Sequence, residues 1–64
     1  MRVFLRIKDT ELFLKINEIS KIPQFTLLKY ASNFDKVQDK EFINSIINDF
    51  KNQKVAELEV IENI

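Results

Sequence analysis

Apolar and polar side chains alternate in two short segments near the N-terminus, VFLRI and LFLKI. Successive side chains of a β-strand point to opposite faces, so this alternation predicts two strands joined by the KDTE turn. One face of the hairpin carries the aliphatic residues Val3, Leu5, Ile7, Leu12, Leu14 and Ile16. The other face carries Phe4 and Phe13 with Arg6 and Lys15, and we expect the two aromatic rings to face water there.

Helical spacing follows in two later segments. The first begins near Ser20, which can cap a helix, and Pro23, which suits a first helical turn because it lacks an amide hydrogen. Its apolar residues at helical spacing are Leu27, Leu28, Ala31 and Phe34. In the second segment, DKEFINSIINDFKNQ, Asp39 is placed to cap the N-terminus. This segment predicts a helix packed on the sheet through one apolar stripe, made of Phe42, Ile43, Ile46, Ile47 and Phe50.

The segment VAELEVI near the C-terminus alternates again and predicts a third strand. Ala56, Leu58 and Val60 would lie on one side, with Glu57 and Glu59 on the other. The expected fold is α+β, with an N-terminal β-hairpin, two helices and a short C-terminal strand in a single small domain spanning the 64 residues. Because the chain has no glycine, which adopts a positive φ most easily, we expect one hairpin and few other tight turns.

The composition excludes most enzyme chemistry. The chain has no cysteine and no histidine, which removes disulfides, thiolate zinc ligands, cysteine nucleophiles and the commonest general base. Asp35, Asp39 and Glu41 could form a carboxylate cluster for a divalent cation, but Asp39 is better used as a helix cap. We predict a protein that is not an enzyme, with no catalytic, cofactor-binding or metal-binding residue and no small-molecule substrate.

Neither hydropathy nor charge favours a membrane or a nucleic acid as the partner. No apolar run approaches the roughly 20 residues of a membrane span, and the charged N-terminus does not match a signal peptide, so we expect a cytoplasmic protein. Basic and acidic side chains balance, which argues against contacts with a phosphate backbone. A nucleic-acid binder would have to use the basic residues of the first half, namely Arg2, Arg6, Lys8, Lys15, Lys21 and Lys29.

Two blocks of residues together match a known pattern. The first block contains Val3, Leu5, Ile7, Leu12, Ile19, Pro23 and Leu27. The second is KVQDKEFINSIINDFKNQKV, with Asp39, Ile43, Ile46, Ile47, Asn48, Phe50, Lys51 and Val55 at the matching positions. Both resemble a shortened BTB/POZ domain of the potassium-channel tetramerisation type. The resemblance implies a domain that forms dimers, tetramers or pentamers, and an adaptor role for cullin-type ubiquitin ligases.

An alternative fold is a ubiquitin-like β-grasp, since a hairpin, a helix and a last strand are its parts and MRVFLRI opens in a similar way. Either fold is a binding module. We therefore predict a protein–protein interaction module that self-associates, without nucleic acid or membrane as partner. The alternative is a small regulatory or inhibitory protein of a phage or mobile element that binds a host protein, which the short length and the Ile-, Lys- and Asn-rich composition favour.

The predicted interface centres on Phe4 and Phe13, because large apolar groups on an uncovered sheet face usually mark a protein contact. Arg6, Lys15 and Tyr30 are further candidates. In the alternative, the C-terminal residues Ile61 and Ile64 of the same chain cover Phe4.

Charge is unevenly distributed between the two halves of the chain. Residues 1–34 carry six basic and three acidic side chains, whereas residues 35–64 carry four basic and seven acidic ones. In a homo-oligomer, the basic half of one copy would then lie near the acidic end of the next.

Overall fold

The fold is described by a computed structural model for residues 1–62. These residues form five strands, a short 3₁₀ turn and one α-helix. In chain order the elements are β1 (Arg2–Ile7), β2 (Phe13–Ile16), β3 (Pro23–Thr26), the 3₁₀ turn (Leu28–Tyr30), β4 (Phe34–Asp35), α1 (Lys40–Asn52) and β5 (Leu58–Ile61). The predicted α+β class is confirmed, although one predicted helix is replaced by strands.

The predicted N-terminal hairpin is confirmed in β1 and β2, which pair antiparallel. Ile7 N–H donates to the Leu12 carbonyl at 2.8 Å, and Thr10 N–H donates to the Ile7 carbonyl at 3.1 Å. Asp9 adopts a φ of 62° in this turn. Leu12 lies at the end of the turn and is 42% exposed, so it does not join the buried aliphatic face as predicted.

The predicted first helix is wrong. Residues 23–26 instead form β3, which pairs antiparallel with β2 and makes a second hairpin. Phe25 lies opposite Leu14 in this pairing, and Pro23 lies opposite Ile16. Without β3, the backbone groups along one edge of β2 would have no partner, and pairing them outweighs the weak helical preference of this segment.

The chain after β3 crosses back between β2 and the start of β1. Ser32 holds it against β2, because its N–H donates to the Leu14 carbonyl at 3.2 Å and its hydroxyl accepts the Ile16 N–H at 2.9 Å. The short strand β4 then pairs with the start of β1, where Arg2 lies opposite Asp35. This segment therefore forces β1 and β2 apart at one end of the sheet.

The predicted C-terminal strand is confirmed in β5, which pairs antiparallel with β1 from Leu58 opposite Ile7 to Ile61 opposite Phe4. The strand order is β3-β2-β1-β4, with β5 also paired to β1. Every strand pairing among residues 1–62 is antiparallel. Neither the BTB/POZ fold nor the β-grasp alternative is confirmed by this arrangement.

The helix α1 packs on one face of the sheet and closes the core there. The buried core residues are Val3, Leu5, Leu14, Phe34, Ile43 and Leu58. Partly buried side chains packed against them include Ile46, Ile47 and Phe50. The predicted stripe thus packs on the sheet with Ile43 at its buried centre, whereas Phe42 is 45% exposed and contacts the ring of Phe34 at a centroid distance of 5.6 Å.

Asp39 precedes α1 as predicted, but its side chain does not cap the helix. Its Oδ2 instead accepts the Asp35 N–H at 2.8 Å, while its backbone carbonyl accepts the Ile43 N–H at 2.8 Å. The carboxylate is therefore used to fix the turn between β4 and α1, where a backbone donor lies closer to it than the first N–H groups of the helix.

The lack of glycine does not limit the tight turns as expected, because lysines adopt the left-handed conformation. Lys21 (φ 61°) lies between β2 and β3, and Lys54 (φ 58°) follows α1. Lys54 N–H donates to the Lys51 carbonyl at 3.1 Å, and Val55 N–H donates to the Phe50 carbonyl at 2.9 Å. This is the Schellman pattern that glycine usually completes, and a side chain there costs roughly 1–2 kcal/mol.

Among residues 1–62, no helix has both the length and the apolar character that crossing a membrane requires.

Candidate functional site

The outer edge of β5 presents backbone groups that have no backbone partner within residues 1–62. Lys8 N–H donates to the Glu57 carbonyl at 2.8 Å, one residue before β5 begins. The direction of hydrogen bonding alternates along a strand, so Glu59 also faces β1, whereas Leu58 and Val60 direct their N–H and C=O groups away from it. We call this outward side of Leu58 and Val60 the β5 edge. Unprotected edges of this kind pair readily with another strand.

A groove of about 610 Å³ lies beside the β5 edge, between β5 and the N-terminal half of α1. Its apolar wall includes Val37, Ile43 and Val60, and the side chains of Val37 and Val60 are 76% and 41% exposed. An ion pair between Lys36 and Glu62 lies at its rim. We call this feature the β5 groove. An added strand could pair with the β5 edge and place an apolar side chain in the groove.

The turn between β4 and α1 positions the groove residues that come from this part of the chain. Asp35 Oδ1 accepts the N–H groups of Gln38 at 2.8 Å and Val37 at 2.9 Å. These two hydrogen bonds, the one from Gln38 first, hold the pKa of Asp35 below its ordinary value, and the Met1 amino group 3.7 Å away acts in the same direction. The turn is therefore best held when Asp35 is ionised.

The two aromatic residues of the predicted interface lie on the sheet face opposite α1, and they are less exposed than expected. Phe13 is only 6% exposed, and Phe4 is partly buried. Their rings meet edge to face, with centroids 6.2 Å apart. The expectation that both rings face water is therefore wrong for Phe13, whose ring is buried and packs against that of Phe4. A contact through Phe4 stays a prediction.

In the alternative prediction, Phe4 is covered by two C-terminal residues of the same chain, Ile61 and Ile64. Ile61 lies directly opposite Phe4 in the pairing of β1 with β5, so both side chains are on the same face. Ile64, the other residue named for this role, lies outside the described residues.

The other predicted interface residues lie in two different places. Arg6 is engaged within the chain, because its Nε donates to Glu59 Oε1 at 3.0 Å and its Nη2 contacts the same oxygen. Lys15 and Tyr30 line a separate cleft together with Arg2. The structure therefore does not bring the five candidates together into one surface.

The carboxylates that were considered for a cation do not form a site. Among residues 1–62 there is no group of three or more acidic, histidine or cysteine side chains that could hold a metal ion. Asp35 and Asp39 instead accept backbone N–H groups in the turn before α1.

The sequence interpretation missed the residues of the β5 edge. Val60 was placed on the same side as Leu58, and it is on that side, but it is 41% exposed where Leu58 is 8% exposed. One signal was present in the sequence. The single proline of the chain, Pro23, lies in the segment that becomes the other outer strand, and the segment that becomes β5 contains none.

Comparison with known proteins assigns no family, since no protein-family model, no curated protein and no solved structure matches the chain.

Proposed function

We propose that this protein is a protein–protein interaction module that self-associates by pairing the β5 strands of two copies. The observation that supports this proposal is the β5 edge, where the backbone groups of Leu58 and Val60 face outward without a backbone partner in residues 1–62. Backbone hydrogen bonds along such an edge provide affinity, and side chains at alternate positions provide specificity.

A second copy of the chain suits this edge because the strand can pair with itself about a twofold axis. When Val60 of one copy faces Val60 of the other, both residues use their outward N–H and C=O groups. Glu59 then lies opposite Ile61 of the second copy, so no two like charges are directly opposed across the new strand pair. Glu59 is also neutralised by Arg6 of its own chain.

The β5 groove adds apolar contact to this pairing. Val60 is 41% exposed on the helix side of the sheet, and its symmetry mate would cover it, while Val37 borders the same region. A seam of one short strand and a few apolar side chains buries less surface than the roughly 1,200 Å² at which stable interfaces begin. The dimer is therefore weak, and its population depends on protein concentration.

The proposal is tested by the substitution Val60→Pro, followed by sedimentation equilibrium over a range of concentrations. Proline removes the outward N–H of Val60 but leaves the bonds that Glu59 and Ile61 direct toward β1, and Pro23 already holds such a position in β3. We expect the wild type to show a mass that rises from one to two chains with concentration. The Val60→Pro variant should stay at one chain with unchanged circular dichroism.

A second pair of variants distinguishes a loss of association from a folding defect caused by proline. Val60→Lys places a charge on the edge strand, the device by which natural edges avoid pairing. Ile22→Lys is the matched control, because Ile22 is 59% exposed next to β3, away from β5. Val60→Lys should abolish the concentration dependence, and Ile22→Lys should not. A wild type that stays monomeric at high concentration, or equal effects of the two lysines, would contradict self-association through β5.

A further inference from the structure

A second cleft, of about 700 Å³, lies at the end of the sheet where β1 and β2 are forced apart. Its walls include Arg2 at the start of β1, Lys15 at the end of β2 and Lys21 in the β2–β3 turn, and Glu18 is its acidic residue. We call it the basic cleft. Because β1 lies between β2 and β5, the cleft is separate from the β5 edge.

The cations of the basic cleft have no carboxylate partner within residues 1–62. The ion pairs found in that part of the chain use the amino terminus, Arg6 and Lys36. Arg2 is held by a neutral group, since its Nε donates to Asn33 Oδ1 at 2.7 Å and its Nη2 to the Asn33 carbonyl at 3.1 Å. The cleft holds three cations against one carboxylate, that of Glu18, so its charge is positive although Asp35 lies opposite Arg2 in the pairing of β1 with β4. An anionic ligand would offset the repulsion between the excess cations.

An exposed aromatic ring lies in the same cleft. Tyr30 is 57% exposed, and it lines the cleft with Ser32 and Asn33. The ammonium group of Lys29 is 4.9 Å from the centre of the ring and adds a further cation beside it. A flat ring in a cleft lined by cations matches a ligand that carries both a planar group and a negative charge.

We infer that the basic cleft binds a nucleoside phosphate, either free or as part of a single-stranded nucleic acid. Arg2, Lys15 and Lys21 would contact phosphate oxygens, and the base would stack on Tyr30. The sequence argued against nucleic acid because the net charge is zero. The net charge of the chain does not give the local charge of the cleft, because the fold places three of the six basic residues of the first half there.

The first experiment measures fluorescence anisotropy of a dye-labelled oligothymidylate of roughly ten nucleotides, a length within the site sizes of small single-strand binders. The full chain is titrated at low salt and again as salt is raised. The variant Lys15→Gln, Lys21→Asn removes two cations, and asparagine suits the positive φ at position 21. We expect at least tenfold weaker binding, and a salt dependence whose logarithmic slope falls by about 1.4, because each phosphate contact contributes about 0.7.

The matched control is the double variant Lys40→Gln, Lys51→Gln, which removes the same charge from exposed positions on α1. Its binding should stay close to that of the wild type. An equal loss in both double variants would show attraction by overall charge and would overturn the cleft assignment, as would no binding by the wild type at low salt.

Two further ligands test the stacking contact and the source of the ligand. Tyr30→Leu should weaken oligothymidylate roughly tenfold and leave an abasic strand of the same length unaffected, since stacking contributes only when a base is present. Equal affinity of wild type for the abasic and the thymidine strand would overturn the role of Tyr30. Competition by free thymidine monophosphate at concentrations similar to those of the strand would support a free nucleotide, and competition by the strand alone would support a nucleic acid.

Discussion

The two outer strands of the sheet, β3 and β5, differ in what they offer to another strand. In β3, Asn17 N–H donates to the Ile22 carbonyl, so by alternation Pro23 and Phe25 are the residues that face outward. Pro23 has no N–H to donate. In β5, the outward residues Leu58 and Val60 both keep their N–H groups. One edge therefore has an interruption in its donors, and the other has none.

This difference shows that apolar character alone does not decide which edge of a small sheet has a full set of backbone donors for pairing. Both outer strands carry apolar residues, and a proline at an outward position limits pairing at β3 without disturbing its bonds to β2. The same proline was interpreted from the sequence as the start of a helix. Its position in a strand has a second physical consequence, which is to leave β5 as the outer strand whose outward N–H groups are all present.

The largest effects test how the helix supports each outer strand. Ile43 is 5% exposed and shares the β5 groove with Val60, whereas Phe50 contacts Phe25 of β3 at a ring distance of 5.9 Å. Ile43→Ala should lower the free energy of unfolding by about 2–5 kcal/mol. Phe50→Ala should cost roughly 1–3 kcal/mol, because the ring is only partly buried. Urea denaturation of both variants measures the two losses.

Hydrogen exchange locates those losses. We expect faster exchange at the amides of β5 in Ile43→Ala and at the amides of β3 in Phe50→Ala, provided that enough protein stays folded. If both variants speed exchange equally in the two strands, α1 would stabilise the sheet as one unit. The helix would then not support β3 and β5 separately.

A second prediction asks whether proline is what closes β3. In a Val60→Pro background, Pro23→Val gives β3 the outward N–H that it lacks. We expect association to return through β3, seen as a concentration-dependent mass in sedimentation equilibrium. If the double variant stays monomeric, side chains around Phe25 would be sufficient to protect that edge and proline would not be needed.

A third prediction concerns the lysines in the left-handed conformation, one in the turn that enters β3 and one in the segment that leads to β5. Lys21→Gly and Lys54→Gly should each stabilise the fold by roughly 0.5–1 kcal/mol, because the relief of strain exceeds the entropy that glycine adds to the unfolded chain. Thermal denaturation measures the gain. Lys54→Ala is the control and should give none, since alanine keeps the Cβ that causes the strain.

The smallest expected effect is a change of stability with pH. It arises from Asp35 in the turn between β4 and α1, which borders the β5 groove. The pKa of Asp35 is lower in the folded state, chiefly through the N–H of Gln38 and then that of Val37, so its stabilisation is present above the ordinary aspartate value of about 3.9 and is lost as pH falls below it. Asp35→Asn should show a smaller loss of stability between neutral and acid pH than the wild type. Identical acid profiles would contradict this contribution.

Several elements could be predicted from the sequence because their side-chain periods are set locally. The alternation in VFLRI, FLKI and LEVI became β1, β2 and β5, and the stripe around Ile43 became α1. Residues 23–35 were mispredicted, because Pro23 fits both a first helical turn and an edge strand. Whether Pro23 begins a helix or lies in a strand depended on pairing with β2, a segment outside residues 23–35.

The candidate site was less accessible to sequence reasoning. Phe4 and Phe13 were correctly placed on one face, but their mutual contact and the burial of Phe13 depend on how β1 and β2 pair. Lys15 and Tyr30 were named as interface residues without a reason to join them to Arg2. The segment before β4, which forces the strands apart, brings these three together.

The sequence by itself determined the class of fold, the faces of β1, β2 and β5, and the packing face of α1, since each depends on the repeat of side chains within one segment. Tertiary structure alone decided which backbone edge stayed open and which cations met. The hydrogen-bonding partner of β5 is β1, at the other end of the chain, and Ser32 reaches β2 from beyond β3. The direction of each strand's outward groups follows from its register. No local pattern carries the register, so the β5 edge and the basic cleft exist only in the folded chain.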